Sequence, residues 1–218
     1  MTTLDAEARS LQAGTTELES LLDATVDPTV EVSASVQELL ADPRVHALLA
    51  PVGAAVLTLA VRVDRSPDQE QVHRLWAAPD WTLVLGPDDG EQSTLAELPT
   101  DRVPALLSRI VGLGPRKVEW RESARLPVDF VEALLGDDQV ARSRALAELG
   151  CDRLWQVQVA TGPAAPTGGQ WTMTVLDGAQ GLYELATDVE APALAPTTST
   201  AVFRAFAELL STSVVRKG

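Results

Sequence analysis

Cysteine is almost absent from this 218-residue chain: Cys151 is alone, so no intrachain disulfide can form and the fold needs no oxidising compartment. Basic charge is also scarce. Lys and Arg total 17 against 31 Asp and Glu, a formal net charge of −14. A surface this negative repels phosphate backbones and anionic lipid, which argues against nucleic-acid and membrane-surface roles and suits a basic or apolar partner. Long hydrophobic runs are missing too. The longest, Leu48 to Val61, is broken by Pro51, Gly53 and Thr58 and falls short of the ~20 residues of a membrane-spanning helix. The opening MTTLDAEARSLQAG is acidic and has no basic stretch followed by an apolar one, so it does not read as a secretory leader. A cytoplasmic protein is the expectation. Only two lysines and one isoleucine, with no asparagine, is the mark of a GC-rich coding sequence and decides nothing about function.

Hydrophobic residues make up 45% of the chain and charged ones 22%, so a packed core is expected rather than disorder. The pattern alternates between helical and extended periods. Leu4, Ala8, Leu11, Leu18, Leu21 and Leu22 predict one or two short helices over 4–22, interrupted at Gly14. The β-branched stretch 25–33 predicts a short strand. A helix carrying Val36, Leu39 and Leu40 follows, started by Ser33 or Ser35 and ended at Asp42-Pro43, and a further helical turn or two precedes Pro51. In 54–64, Leu57, Leu59, Val61 and Val63 alternate with Thr58, Ala60 and Arg62, the mark of a strand with one buried face. Residues 65–80 read as a loop with some helix, or as a further extended piece. Strand, turn and strand over 81–98, with the turn at 86–90, lead to a helix capped by Thr100 or Asp101 and stopped by Gly112 and Gly114.

The second half repeats this plan. An extended stretch over 118–126 precedes helices over 127–135 and 138–150. A strand then carries Trp155, Val157 and Val159 on one face and Leu154, Gln156 and Gln158 on the other. A Gly/Pro/Ala loop leads to a hairpin turning at Asp177–Gly181, then a loop over 191–200, and a last helix holds Val202, Phe203, Phe206, Leu209 and Leu210. Three segment pairs match in the same order and at nearly the same separation: 36–45 with 131–140, the stretch from Trp81 with that from Trp171, and 98–110 with 195–207. We therefore expect an internal repeat, about 30–114 and 125–212, within one domain, preceded by a helical segment over 1–24. The fold class is α+β: two half-folds joined about a pseudo-two-fold axis into one mostly antiparallel sheet with flanking helices.

Signatures of chemistry are few. His46 and His73 belong to no metal-ligand spacing, and Cys151 has no local base pattern, so no metal or cofactor is expected. The run GLGPRK from Gly112 follows a helix and has the wrong glycine spacing for a phosphate loop. Asp88-Asp89 and Asp137-Asp138 sit where Asp favours turns and helix starts. The five tryptophans, Trp76, Trp81, Trp120, Trp155 and Trp171, suit core packing or an interface anchor. The polar alternate positions of the strands say more. Thr58, Arg62, Gln156, Gln158, Thr172 and Thr174 define a semi-polar sheet face, where a helix-covered sheet would show continuous apolar runs. Such a face is a platform for a partner's helix.

Three stretches resemble the EspG family, the secretion-associated chaperones of type VII secretion systems. They are the hairpin WTMTVLDGAQGLYELATD, similar to that family's D-x-x-x-G-R-Y region, the closing run LAPTTSTAVFRAFAELL, and the middle segment STLAELPTDRVPALLSRIVGLGPR. Leu182 stands where the family has an Arg before the tyrosine, residues 1–24 do not match the family's opening, and the chain looks like a short, divergent member. The resemblance implies a pseudo-two-fold α+β fold. It also implies a cytosolic, non-enzymatic chaperone that holds the apolar tip of a helical secreted protein or heterodimer (PE/PPE-like) and keeps it soluble for export. The six polar sheet residues would then be the partner-binding face. Two other readings remain open: a small enzyme with a cryptic site using Cys151, His46 or His73, and an adaptor that pairs with itself through the same face.

Overall fold

The computed structural model describes residues 2–5, 7–64, 70–87, 92–116, 123–165, 169–187 and 191–214, with side chains to residue 210. The chain starts with β1 (Thr3–Asp5) and β2 (Ser10–Gly14), then α1 (Thr15–Val26), α2 (Ala34–Ala41) and α3 (Pro43–Gly53). A four-strand meander follows: β3 (Leu57–Asp64), β4 (Glu70–Ala77), β5 (Trp81–Pro87) and β6 (Gln92–Pro99). A 3-10 turn leads into α4 (Val103–Ile110). Next come β7 (Ala124–Arg125), α5 (Val128–Leu135) and α6 (Gln139–Glu148). A second meander, β8 (Cys151–Thr161), β9 (Gln170–Gly178), β10 (Gly181–Ala186) and β11 (Ala193–Thr197), precedes α7 (Ser199–Val214).

All described strands join one antiparallel sheet in the order β1-β2-β6-β5-β4-β3-β8-β9-β10-β11-β7. Its centre is the β3·β8 pair, in register from Leu57 opposite Thr161 to Asp64 opposite Leu154. Outward from this pair, each side runs through its own meander in chain order and then meets a strand that precedes that half's helices, β2 beside β6, with β1 outside it, and β7 beside β11. The fold is α+β, as the alternation of periods predicts. Two of the three matched segment pairs fall at corresponding places: 36–45 and 131–140 each run from one helix through a capping Asp into the next, and 98–110 and 195–207 each leave an outer strand for a helix. The third does not, because Trp81 opens β5, two strands out from β3, whereas Trp171 lies on β9, next to β8.

Three elements differ from expectation, and a fourth takes the extended one of two expected alternatives. Residues 3–14 form a hairpin instead of a helix: Leu11 and Ala13 are buried while Ser10, Gln12 and Gly14 are half-exposed, a period of two. Its turn needs Arg9 at φ 50, and the Asp5 carboxylate accepts from the amides of Glu7 and Ala8. The 25–33 stretch is not a strand, since Asp27 closes a turn by accepting from the amide and hydroxyl of Thr29. Residues 70–77 take the extended alternative as β4. The 191–200 stretch contains β11, where Pro196 lies beyond the two residues that β7 pairs and so interrupts no bond on that edge. The expected strand over 118–126 and Trp120 lie mostly outside the described residues, as do the Asp88-Asp89 pair and most of the 86–90 turn.

Two layers of helix cover the sheet unequally. On one face α4 and α7 lie across the middle strands. There Val103, Leu107, Ile110, Val202, Phe206 and Leu210 pack on Leu59, Val61, Val63, Leu75, Trp155, Val157, Met173 and Val175. Trp155, fully buried, meets Phe206 at a centroid distance of 6.0 Å with the rings tilted by 56°. On the opposite face the helices sit to the sides. Helices α1 and α3 cover β2, β5 and β6 through Leu18, Leu21, Leu48 and Leu49 against Leu11, Leu83, Leu85 and Leu95, and α2 adds Val36 to the same cluster. Helices α5 and α6 cover the other side through Val131, Leu134 and Leu146 against Leu154, Leu176, Leu185 and Leu194.

Candidate functional site

Between those two helix groups, among the described residues, the stretch of β3, β4, β8 and β9 around Thr58, Ala60, Gln158 and Thr172 is an open groove lined by strand residues. Because side chains alternate along a strand, the bare face is fixed by register. Arg62 lies opposite Gln156 and Ala60 opposite Gln158 across β3·β8, and Gln156 opposite Thr174 and Gln158 opposite Thr172 across β8·β9. With Thr58 two residues from Ala60, all six sequence-predicted residues share this one face. Their alternates Leu57, Leu59, Val61, Trp155, Val157 and Met173 turn to the α4–α7 core, which is why the opposite set is free to be polar.

The six differ in how far they reach solvent. Gln158 and Thr172 are exposed, Thr58, Arg62 and Gln156 half-buried, and Thr174 is buried. A chain of hydrogen bonds runs across the floor: Gln158 Nε2 donates to Gln156 Oε1 (2.7 Å), and Gln156 Nε2 donates to Thr174 Oγ1 (3.0 Å). These bonds fix the amide groups before anything binds, which lowers the ordering cost of an incoming contact. The Thr58 hydroxyl reaches the Ala160 carbonyl at 3.4 Å. Arg62 donates to Glu70 Oε2 (2.7 Å), and its Nε lies 3.9 Å from Asp64 Oδ1.

A groove of about 370 Å³ occupies one end of this floor, lined by Thr58, Leu59, Ala60, Arg74, Leu75, Trp76, Gln158, Val159, Ala160, Gln170 and Thr172. Among the described residues no carboxylate lines it. Its charged member is Arg74, 3.7 Å from Glu19 of α1. Three of the six predicted residues line this groove, and Arg62, Gln156 and Thr174 lie further along the same face. Arg74, Trp76 and Gln170 are additions that the sequence reading missed. The first two sit on β4, whose pattern Val72, Arg74, Trp76 against Leu75 and Ala77 is the period-two signal that could have found them.

The residues of the enzyme reading are not brought together. Cys151 is buried in the α5–α6 cluster, His46 is exposed on α3, and His73 lies on β4 beside Gly86, on the α4 side of the sheet. Asp42 pairs with Arg44 rather than with His46. Among the described residues no group of three or more His, Cys, Asp or Glu is placed to hold a metal ion, and no helix is long and apolar enough to cross a membrane.

One large antiparallel sheet with helices on both faces places the molecule in the α+β class. Within that class, the fold matches the structure of the Mycobacterium tuberculosis type VII secretion system chaperone EspG5 in complex with a PE25-PPE41 dimer. The TM-score is 0.57 over 94% of this chain and 96% of that one, at 14% identity. The shortness expected from the sequence has no counterpart in that overlap. No family model and no curated protein matches the sequence.

Proposed function

We propose that this protein is a cytoplasmic, non-enzymatic secretion chaperone. It would bind the apolar tip of a helical, PE/PPE-like type VII substrate on the saddle between the two helix groups and keep it soluble for export. The observation that carries this reading is the open groove on β3, β4, β8 and β9 between two helix groups, on a fold like that of EspG5. The floor combines one large anchor, Trp76, with amides and hydroxyls that adapt to a partner's backbone, and an acidic exterior keeps the loaded complex soluble. Thr58, Arg62, Gln156, Gln158, Thr172 and Thr174 form the contact face in this reading. The mirrored strand order supports an origin by internal duplication, with about 30–114 and 125–212 as the two copies.

The test is calorimetry of the full chain with the PE–PPE pair encoded nearest its own gene, paired with light scattering to give the stoichiometry. We expect a complex with one copy of the chaperone. Gln156→Arg combined with Thr172→Arg, which puts two long cations into the floor, should weaken binding at least tenfold and leave the melting temperature within a few degrees. Unchanged binding by that variant removes this face as the contact site. A stable dimer of the chain alone that the same variant disperses would instead favour self-pairing.

A further inference from the structure

Arg142, on α6, is buried to 3% exposure and reaches the sheet on the same face as the groove. Its guanidinium spends its donors on two kinds of acceptor. Nε donates to the Leu134 carbonyl (3.2 Å) and Nη2 to the Gly136 carbonyl, both at the C-terminal end of α5, where helix carbonyls lack an intrahelical partner. Nη1 lies 3.2 Å from Asp64 Oδ2 on β3 and 3.7 Å from Glu70 Oε2 on β4. Those two carboxylates are the same ones that Arg62 engages from the floor.

We propose that Arg142 is the positioning residue of the saddle: it locks the α5–α6 pair onto the ends of β3 and β4 and, through Asp64 and Glu70, sets the orientation of Arg62 on the contact face. The planar fork of an arginine can serve two carbonyls and two carboxylates at once, which a lysine ammonium cannot do in one plane. Removing it strands two orphan carbonyls and a buried Asp64 together, so the loss falls on one wall of the saddle and not on the whole fold. The ion pair that helices α1–α3 make to the floor is a separate one, Glu19 with Arg74. The consequence for a partner rests on the proposed contact face, but the lock is tested on the chain alone, so the two can fail separately.

Amide hydrogen exchange and the arginine Nε–H resonances of the full-length protein decide it. In Arg142→Gln we expect α5–α6 amides to exchange at least tenfold faster, α1–α3 amides to stay within twofold, and the Arg62 Nε–H signal to move while that of Arg74 does not. Arg142→Lys, which keeps the charge without the fork, should leave α5–α6 exchange fast. If Arg142→Gln does not fold, Glu70→Gln removes one shared carboxylate and should shift Arg62 and speed α5–α6 exchange several-fold. Equal acceleration in both helix groups, an unmoved Arg62 signal, or full protection in Arg142→Lys overturns the proposal. For Glu70→Gln, an unmoved Arg62 signal does the same.

Discussion

Two aspartates show how one residue type takes opposite roles from its surroundings. Asp42 caps α3: its Oδ1 accepts from the Arg44 amide (2.8 Å), and the Arg44 guanidinium chelates the carboxylate. The guanidinium, followed by the amide, holds the Asp42 pKa at about 2, below the usual 3.8. The folded value lies below the unfolded one, so this contribution is complete above about pH 4 and disappears as pH falls through 2. Asp64 goes the other way. Burial raises its pKa, and the neighbouring Arg142 and Arg62 only partly offset that. Its contribution is therefore greatest below the unfolded value and fades as pH rises through the folded one. A carbon-detected carboxylate titration should find Asp42 still ionised at pH 3 and Asp64 already protonated there. Asp42 titrating near 4 would contradict the cap geometry. The Asp42-Pro43 boundary was legible, because a capping side chain followed by proline is a local signal. The burial of Asp64 was not, because it depends on α6, 78 residues away in the chain at Arg142.

At the scale of elements, the sequence was most readable where one period runs unopposed. Strands β3, β5, β8 and β9 and helices α2, α4, α5 and α7 follow from alternation or 3.6-residue spacing. Ser33 caps α2 as expected, whereas α4 follows a 3-10 turn over Thr100–Arg102 and takes no side-chain cap, the Thr100 hydroxyl donating instead to the Ala78 carbonyl. The failures share a cause. In β2, five residues carry only two core positions, Leu11 and Ala13, and the run continues directly into α1, so the helical spacing of Leu11, Leu18, Leu21 and Leu22 masks the change of period at Gly14. In β11 the prolines and threonines look like a loop, and it is pairing with β10 along all five residues, and with β7 at Ala193 and Leu194, that makes them extended. The contact face was legible for the strands whose alternation was recognised and lost on β4 for the same reason. Caps can be tested directly. Asp138 accepts from the amides of Val140 and Ala141 at the start of α6, whereas no hydrogen bond of this kind involves its neighbour Asp137. Asp138→Ala should cost about 1 kcal/mol in chemical denaturation. Asp137→Ala should stay within about 0.5 kcal/mol, as surface changes away from such features do. Equal effects would mean that the pair acts through charge and not through capping.

For the whole molecule, the core beneath α4 and α7 decides whether the halves can stand apart. The first half supplies Leu59, Val61, Leu75, Val103 and Leu107, and the second supplies Trp155, Val157, Val175, Val202 and Phe206. Neither set closes on itself, because Val61 and Val157 are direct cross-strand partners and β3 without β8 is a bare edge with an apolar face. A fragment ending at residue 116 would leave that edge and the inner side of α4 in water. Losing a partner ring the size of Phe206 or Trp155 alone costs about 3–5 kcal/mol, a large part of the total stability of a domain. We expect fragment 1–116 to lack a cooperative thermal transition when expressed by itself, and to regain one when co-expressed with 117–218. The intact chain should unfold in a single step. A fragment 1–116 that melts cooperatively by itself would show that the sheet is two half-sheets in contact, and would also remove the reason for a saddle at their junction, since the bare floor exists only where β3 and β8 are continuous.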